Sequence, residues 1–239
     1  MMPDAATLYD VCEGTWPPAR AWAEGPWTLR NGAGGGKRVS AATALGDVTD
    51  GDIPNAEATM RKMGQQPLFM IREGDDALDA LLATRGYELI DEVQLYVAPV
   101  EALMDKPVPR VTCFAIWEPL AIMAEIWATD GVGPARLDVM ERVHLKTGIL
   151  SRWNEKPAGA AFAAIHDGVA MVHAVVTLAQ QRRQGVAQWM MRAAAFWAHK
   201  NGARHISVLC VTANAPANAL YKAMGFTPVG TYHYRILPE

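Results

Sequence analysis

Apolar positions in the second half of the chain follow two periods in turn. RVTCFAIW (residues 110–117) reads as a strand. EPLAIMAEIWATDG (118–131) and ARLDVMERVHLKTG (135–148) carry apolar residues three and four apart and read as helices. AGAAFAAIHDGVAMVHAVVTL (158–178) is the most apolar stretch and is long enough to suggest a membrane span. Asp167-Gly168 breaks its middle, and Asp-Gly is a hairpin signal, so it predicts two strands, about 158–165 and 169–178. A helix over 186–201 follows and stops at Gly202. RHISVLCVT (204–212) is a strand. NAPANALYKAMG (214–225) is a helix with Asn214 as N-cap and Pro216 in its first turn. TPVGTYHYRIL supplies one or two closing strands. The order β-α-α-β-β-α-β-α-β predicts a mixed α/β domain.

The first half echoes this ending. ALLATRGYELIDEVQLYV (80–97) aligns without gaps on ALYKAMGFTPVGTYHYRI (219–236), with Leu82 opposite Tyr221. Both read as a helix, a Gly-aromatic stop and an extended tail. Generic helix-turn-strand grammar and an internal duplication both explain the match. A proline-bearing segment, 98–111, is the expected linker, dividing the chain into 1–105 and 106–239.

Composition narrows the class. Of 239 residues, 51% are hydrophobic and 20% charged, which is globular and not disordered. A net charge of −3 gives no general pull toward nucleic acid or anionic membrane. Cys12, Cys113 and Cys210 lie far apart without metal spacing, so reduced thiols and no metal are expected. The N-terminus MMPDAATLYDVCEG has neither a basic nor an apolar leader region, and a cytoplasmic location is expected.

Two glycine-bearing stretches compete as phosphate sites. RNGAGGGKRVS (30–40) suggests a Walker A loop, but Asn31 stands where its first glycine belongs and Arg38 where its hydroxyl belongs. It reads as a flexible hairpin loop, and a phosphotransferase fails with it. RRQGVA (182–187) instead joins an apolar strand to a long helix. The first amides of such a helix are unpaired and lie at the positive end of its dipole. Gly185 gives an anion access to the backbone, Ala187 keeps the next turn small, and Arg182 and Arg183 add charged donors.

Arg182-x-x-Gly185-x-Ala187 after a strand resembles the [QR]-x-x-G-x-[GA] acyl-CoA signature of the GNAT N-acetyltransferase superfamily. NAPANALYKAMGF resembles its second block, N-x-x-[AN]-x-x-[LI]-Y-x-x-x-G-F. One helix and one strand lie between the blocks, as in that family. The resemblance covers about residues 108–239 and is faint before them. It implies a mixed, largely antiparallel central sheet flanked by helices, with a degenerate GNAT-like domain over 1–105 and a catalytic one over 106–239. It also implies acetyl-CoA as cosubstrate. The pantetheine arm would pair with Val175, Val176 and Thr177 in a gap between strands, and the pyrophosphate would lie on the amides of Arg182, Arg183, Gln184, Gly185, Val186 and Ala187. Asn214 would bond the cofactor near its pantetheine end, and Tyr221 would face the thioester sulfur.

The chemistry fits these residue types. An amine attacks the thioester carbonyl, whose oxygen needs a strand N–H, expected from Val176 or a neighbour. The leaving thiolate needs a proton, which a tyrosine holds at neutral pH, so Tyr221 is the expected acid. His173, on the strand before the signature, is the expected base, with Glu125, Asp130 and Glu141 as weaker candidates. Trp189, Met190, Ala193 and Trp197 share one helix face and read as core, whereas Trp127 and Trp153 are candidates to line an acceptor pocket. His233 and Arg235 share a strand face that edges either the acceptor site or solvent. The expectation is an acetyl transfer to a primary amine, from a small molecule or a peptide. Nucleic acid and membrane are not expected partners, and a homodimer is the one self-association considered. The alternative is a non-catalytic acyl-CoA-binding sensor or assembly module.

Overall fold

A computed structural model describes residues 1–238. In the first half it contains α1 (Ala5–Thr15), β1 (Arg20–Glu24), β2 (Trp27–Asn31), β3 (Thr43–Ala44), α2 (Ile53–Lys62), β4 (Leu68–Arg72), α3 (Asp76–Thr84) and β5 (Glu88–Pro99). Then come β6 (Cys113–Ile116), α4 (Ala121–Ala128), α5 (Pro134–Glu141), β7 (Lys146–Trp153), β8 (Lys156–His166) and β9 (Val169–Thr177). The chain closes with α6 (Val186–Lys200), β10 (His205–Val211), α7 (Ala215–Ala223) and β11 (Thr227–Ile236). No helix among the described residues is long and apolar enough to cross a membrane.

Local chemistry accounts for the turns. Asp167 and Gly168 both take positive φ, 46° and 75°, and join β8 to β9 as the Asp-Gly signal predicts. Asn154 and Glu155 do the same between β7 and β8, at 49° and 60°. Asn214 caps α7, its side chain accepting from the Ala217 amide at 3.2 Å. One sequence expectation is corrected here. The helix read over 135–148 ends at Glu141, and Lys146–Trp153 is strand β7, held between β6 and β8. The β-branched Thr147 and Ile149 favour the sheet, and Lys146 closes the helix by donating to the Glu141 carbonyl at 2.6 Å.

The main sheet has eight strands in the order β4-β11-β5-β10-β9-β8-β7-β6. Neighbours are antiparallel except β9 and β10, which are parallel. A small sheet, β1-β2-β3, stands apart. One face of the large sheet packs beneath α6 and α7, through Met190, Met191, Ala194, Ala195 and Tyr221. The other face lies under α1, α4 and α5, through Leu8, Val11, Trp127 and Val139. The small sheet, α2 and α3 close a further core around Trp27, Phe69 and Leu82.

The boundary between residues 105 and 106 divides the chain but not this sheet, since β4 and β5 both precede it. The segment read as a linker is part of the body, with Val100 and Leu103 buried beneath α6. The match between 80–97 and 219–236 has a structural counterpart. Gly86 and Gly225 follow their helices at φ 82° and 87°. Tyr87 and Phe226 donate to the carbonyls of Leu82 and Tyr221, each at 3.1 Å.

The correspondence extends through the strands before those helices, and their pairing is reciprocal. β5, leaving α3, pairs with β10, which enters α7; β11, leaving α7, pairs with β4, which enters α3. The shift that carries Ala80 onto Ala219 also carries the pair Leu68↔Ile236 onto Ser207↔Val97. It carries Arg72↔Tyr232 onto Val211↔Val93 in the same way. Tyr232 itself faces Val93, its own counterpart, where β11 and β5 meet. Register kept across four strands follows from a local two-fold and not from generic turn grammar.

Candidate active site

Register opens the sheet at one place. β9 and β10 pair only from Val169 to Val172 against His205 to Val208. Beyond those residues the two parallel strands part, leaving Val175 and Thr177 on one side of a gap and Leu209 to Val211 on the other. A bulge in β9 shapes the edge of this gap. Ala160 faces Val176 but Phe162 faces His173, so Ala161 opposes both Ala174 and Val175. Ala174 takes φ 49°, and Trp127 pins it by donating from Nε1 to its carbonyl at 3.0 Å. Leu178 donates to Ala158 at 2.9 Å, and alternation along an antiparallel pair therefore turns the Val176 amide toward β8. The Thr177 amide, one residue on, lies on the open side, next to the bulge at Ala174 and Val175.

Beyond β9, Ala179–Gln181 form a single 3-10 turn. Arg183 and Gly185 then take φ 60° and 77° on the way into α6. Gly185 is the N-cap and offers no side-chain acceptor. No described residue accepts from the amides of Val186, Ala187 or Gln188. They form a concave donor set at the positive end of a fifteen-residue helix, with Arg182, Arg183 and Gln184 exposed around it. Gly185 is required for its backbone angle and not for space, since an added Cβ would meet nothing nearer than Trp189 at 3.9 Å.

Across the gap, Asn218 holds the start of α7 by donating to the carbonyls of Val211 and Asn214, at 2.9 and 2.8 Å. It also accepts from the Tyr96 hydroxyl at 3.0 Å. Tyr221 is 5% exposed, with its ring 5.9 Å from Tyr96 and 5.8 Å from Phe226. Burial raises its pKa above the ordinary value, with Cys210 nearby adding to the effect, so the hydroxyl keeps its proton at neutral pH. No described residue hydrogen-bonds that hydroxyl. The Asn214 oxygen is engaged as a cap, and its amide nitrogen is the part left to donate to a ligand.

On the α1 side, the gap meets a cleft of about 240 Å³. Its walls include Trp16 at the end of α1, Gly36, Arg38, Arg136, Ala174 and Tyr232. The cleft touches the parted strands at Ala174 and Val211, with the donor turn following β9 and the buried tyrosine on the helix that follows β10. Residues 116–226 match the family model for the acetyltransferase (GNAT) family. An uncharacterized N-acetyltransferase of Bacillus subtilis (strain 168), YobR, is 26% identical over 98% of this chain and 99% of its own length. A GCN5-related N-acetyltransferase from Kribbella flavida has the same fold, with TM-score 0.74 and 21% identity over 98% of this chain and 96% of that one. A tandem GNAT protein from the clavulanic acid biosynthesis pathway has TM-score 0.61 and 14% identity, over 98% and 89% of the two chains.

Residues 116–226 are thus similar to the GNAT family, and the fold of nearly the whole chain is that of a GNAT protein.

Within this fold His173 does not suit the role of base. It is 5% exposed, and its Nδ1 lies 3.1 Å from Arg38 Nη1 while its Nε2 lies 2.9 Å from Thr15 Oγ1. A guanidinium only donates, so Nδ1 is the acceptor and Nε2 carries the hydrogen. Thr15 passes the chain on by donating to Val11 at 2.6 Å. The imidazole lone pair is therefore occupied, and burial, with the Arg38 charge beside it, holds the pKa well below the usual histidine value. His173 is neutral and joins α1, the glycine stretch and β9.

Other candidates of the GNAT reading also move. Glu125 lies outside the cleft, and Glu141 pairs with Lys146 at 3.4 Å. Asp130 is the one of the three weaker base candidates that lines the cleft. Trp127 is fully buried and supports the bulge, and Trp153 packs against the core under α6. His233 and Arg235 turn away, both bonded to Asp79 at 2.7 Å, while Tyr232 and Tyr234 on the opposite face reach the cleft. Trp16, Arg38 and Arg136 were not foreseen. The one signal was Gly36-Lys37-Arg38, small residues followed by charge within the stretch read as a loose loop.

Proposed function

We propose that the protein is an acetyl-CoA-dependent N-acetyltransferase acting on a primary amine by direct attack on the thioester. The observation that carries this reading is the parting of β9 and β10 after Val172 and Val208, between the α6 donor turn and the cleft. The amides from Arg182 to Ala187 receive the pyrophosphate, and those of Val175 and Thr177 receive the pantetheine arm and the carbonyl oxygen. Acetyl-CoA supplies the activated acyl group. The amine nitrogen enters from the cleft and bonds the carbonyl carbon, and the carbon–sulfur bond breaks. Tyr221 gives its proton to the departing thiolate. The amine's own proton leaves through the open cleft, where Asp130 has no ion-pair partner among the described residues.

Tyr221→Phe keeps the ring contacts and removes only the hydroxyl. Turnover with a panel of amines, read as thiol release, is expected to fall roughly 10²- to 10⁴-fold with acetyl-CoA affinity unchanged. Equal turnover removes Tyr221 from the acid role. Binding of acetyl-CoA without transfer to any amine leaves a cofactor-binding module in place of an enzyme.

A further inference from the structure

The cleft carries positive charge that the protein itself does not neutralise. Lys37 and Asp91 pair with each other across its rim. Arg38 has no carboxylate partner among the described residues; its Nη1 donates to the neutral His173, and the neutral Tyr232 hydroxyl lies beside it. The Arg38 Nε is buried with no hydrogen-bond partner. The Arg136 guanidinium has neither an ion pair nor a hydrogen bond among the described residues. It lies against Gly36, where an added Cβ would sit 3.2 Å from Nη2. Gly36 takes φ 99° and ψ −178°, a conformation nearly closed to other residues. The glycine thus lets an unpaired arginine lie across the same cleft as the half-buried Arg38. Burying a guanidinium without an anion is costly, and an oxyanion entering the cleft would match both arginines. Asp130, with no ion-pair partner among the described residues, suits an ammonium group in the same ligand.

We propose that the acceptor is a small amine that also bears a carboxylate, as in a free amino acid. Arg38 and Arg136 hold the carboxylate, and the amine is directed past Ala174 toward the strand gap. This names the acceptor class for the function proposed above and rests on that function for turnover, but not for binding.

The test uses the full chain and has two readouts. One is acetyl transfer to leucine, phenylalanine, lysine and histidine, each beside the amine left by its decarboxylation. The other is calorimetric titration with the N-acetyl forms of the same amino acids, which requires no turnover. The amino acids are expected to have KM values about 10-fold or more below their decarboxylated partners, the value of one charge-assisted pair. Arg136→Gln, which breaks no internal ion pair or side-chain hydrogen bond, is expected to raise KM for the amino acids by a similar factor with little change in kcat. It is also expected to weaken the N-acetyl ligands and leave acetyl-CoA affinity alone. Binding of the N-acetyl ligands, sensitive to Arg136→Gln but without transfer, keeps this inference and overturns the transferase reading. Transfer to the decarboxylated amines at equal KM, indifferent to Arg136→Gln, keeps the transferase and overturns the carboxylate. Neither binding nor transfer overturns both.

Discussion

Two glycine-bearing turns, one at the start of α6 and one at the cleft, use glycine differently. Gly185 sits in open space and supplies only a left-handed backbone, so that the α6 amides face outward without a cap. Gly35 and Gly36 are crowded. A Cβ on Gly35 would meet Val139 at 2.6 Å, and one on Gly36 would meet the Arg136 guanidinium. The first turn exposes backbone to a ligand. The second brings the chain close to α5 and sets two basic side chains against the cleft. Glycine count does not separate these uses; what the turn is attached to does. A strand leads into the first and a long helix out of it, whereas the second connects two short strands of a small sheet.

Substitutions can break that comparison. The largest effect is expected from Gly185→Glu, which places a carboxylate and a strained φ at the donor turn. Acetyl-CoA affinity is expected to fall by about 100-fold or more, the loss of two charge-assisted hydrogen bonds, read by calorimetric titration. Retained affinity would mean that the turn is not the phosphate site. A mirror-image result is expected from Gly36→Ala: a stability loss of about 1–3 kcal/mol in denaturant melts, with acetyl-CoA affinity of the folded protein unchanged. A loss of acetyl-CoA affinity in this variant would merge the two loops into one function.

The smallest effect concerns His173, which ties the second turn to β9. Its folded-state pKa lies below its free value, so the unfolded chain takes the proton first as pH falls through about 6.5. Stability is then full above that pH and declines below it, by at most about 1.4 kcal/mol per pH unit. His173→Gln should flatten this slope in thermal melts between pH 7 and pH 5. An unchanged slope would mean that other groups set the acid sensitivity.

What could be read from sequence was local. The Asp167-Gly168 hairpin, the Asn214 cap and the strand-turn-helix at Gly185 each need only neighbouring residues, and each has its counterpart in the structure. Strand β7 escaped because ARLDVMERVHLK continues a helical period past the point where Lys146 closes the helix. The cleft escaped for a different reason. Trp16, Arg38, Arg136 and His173 come from four separate segments, and none has a periodicity that announces the others. His173 illustrates the limit: its residue type suggested a base, and only its two partners decide that its lone pair is taken. The repeat over 80–97 and 219–236 was visible, but the reciprocal pairing was not, because register belongs to strands whose partners lie far away in sequence.

That pairing also orders events during synthesis. β5 leaves the ribosome long before either of its neighbours, β10 and β11, has been made. Until they arrive it presents two bare strand edges, with Val93, Leu95, Tyr96 and Val97 awaiting burial. The first half of the chain therefore waits for the second to complete its sheet, and the nascent protein is most exposed to aggregation in that interval.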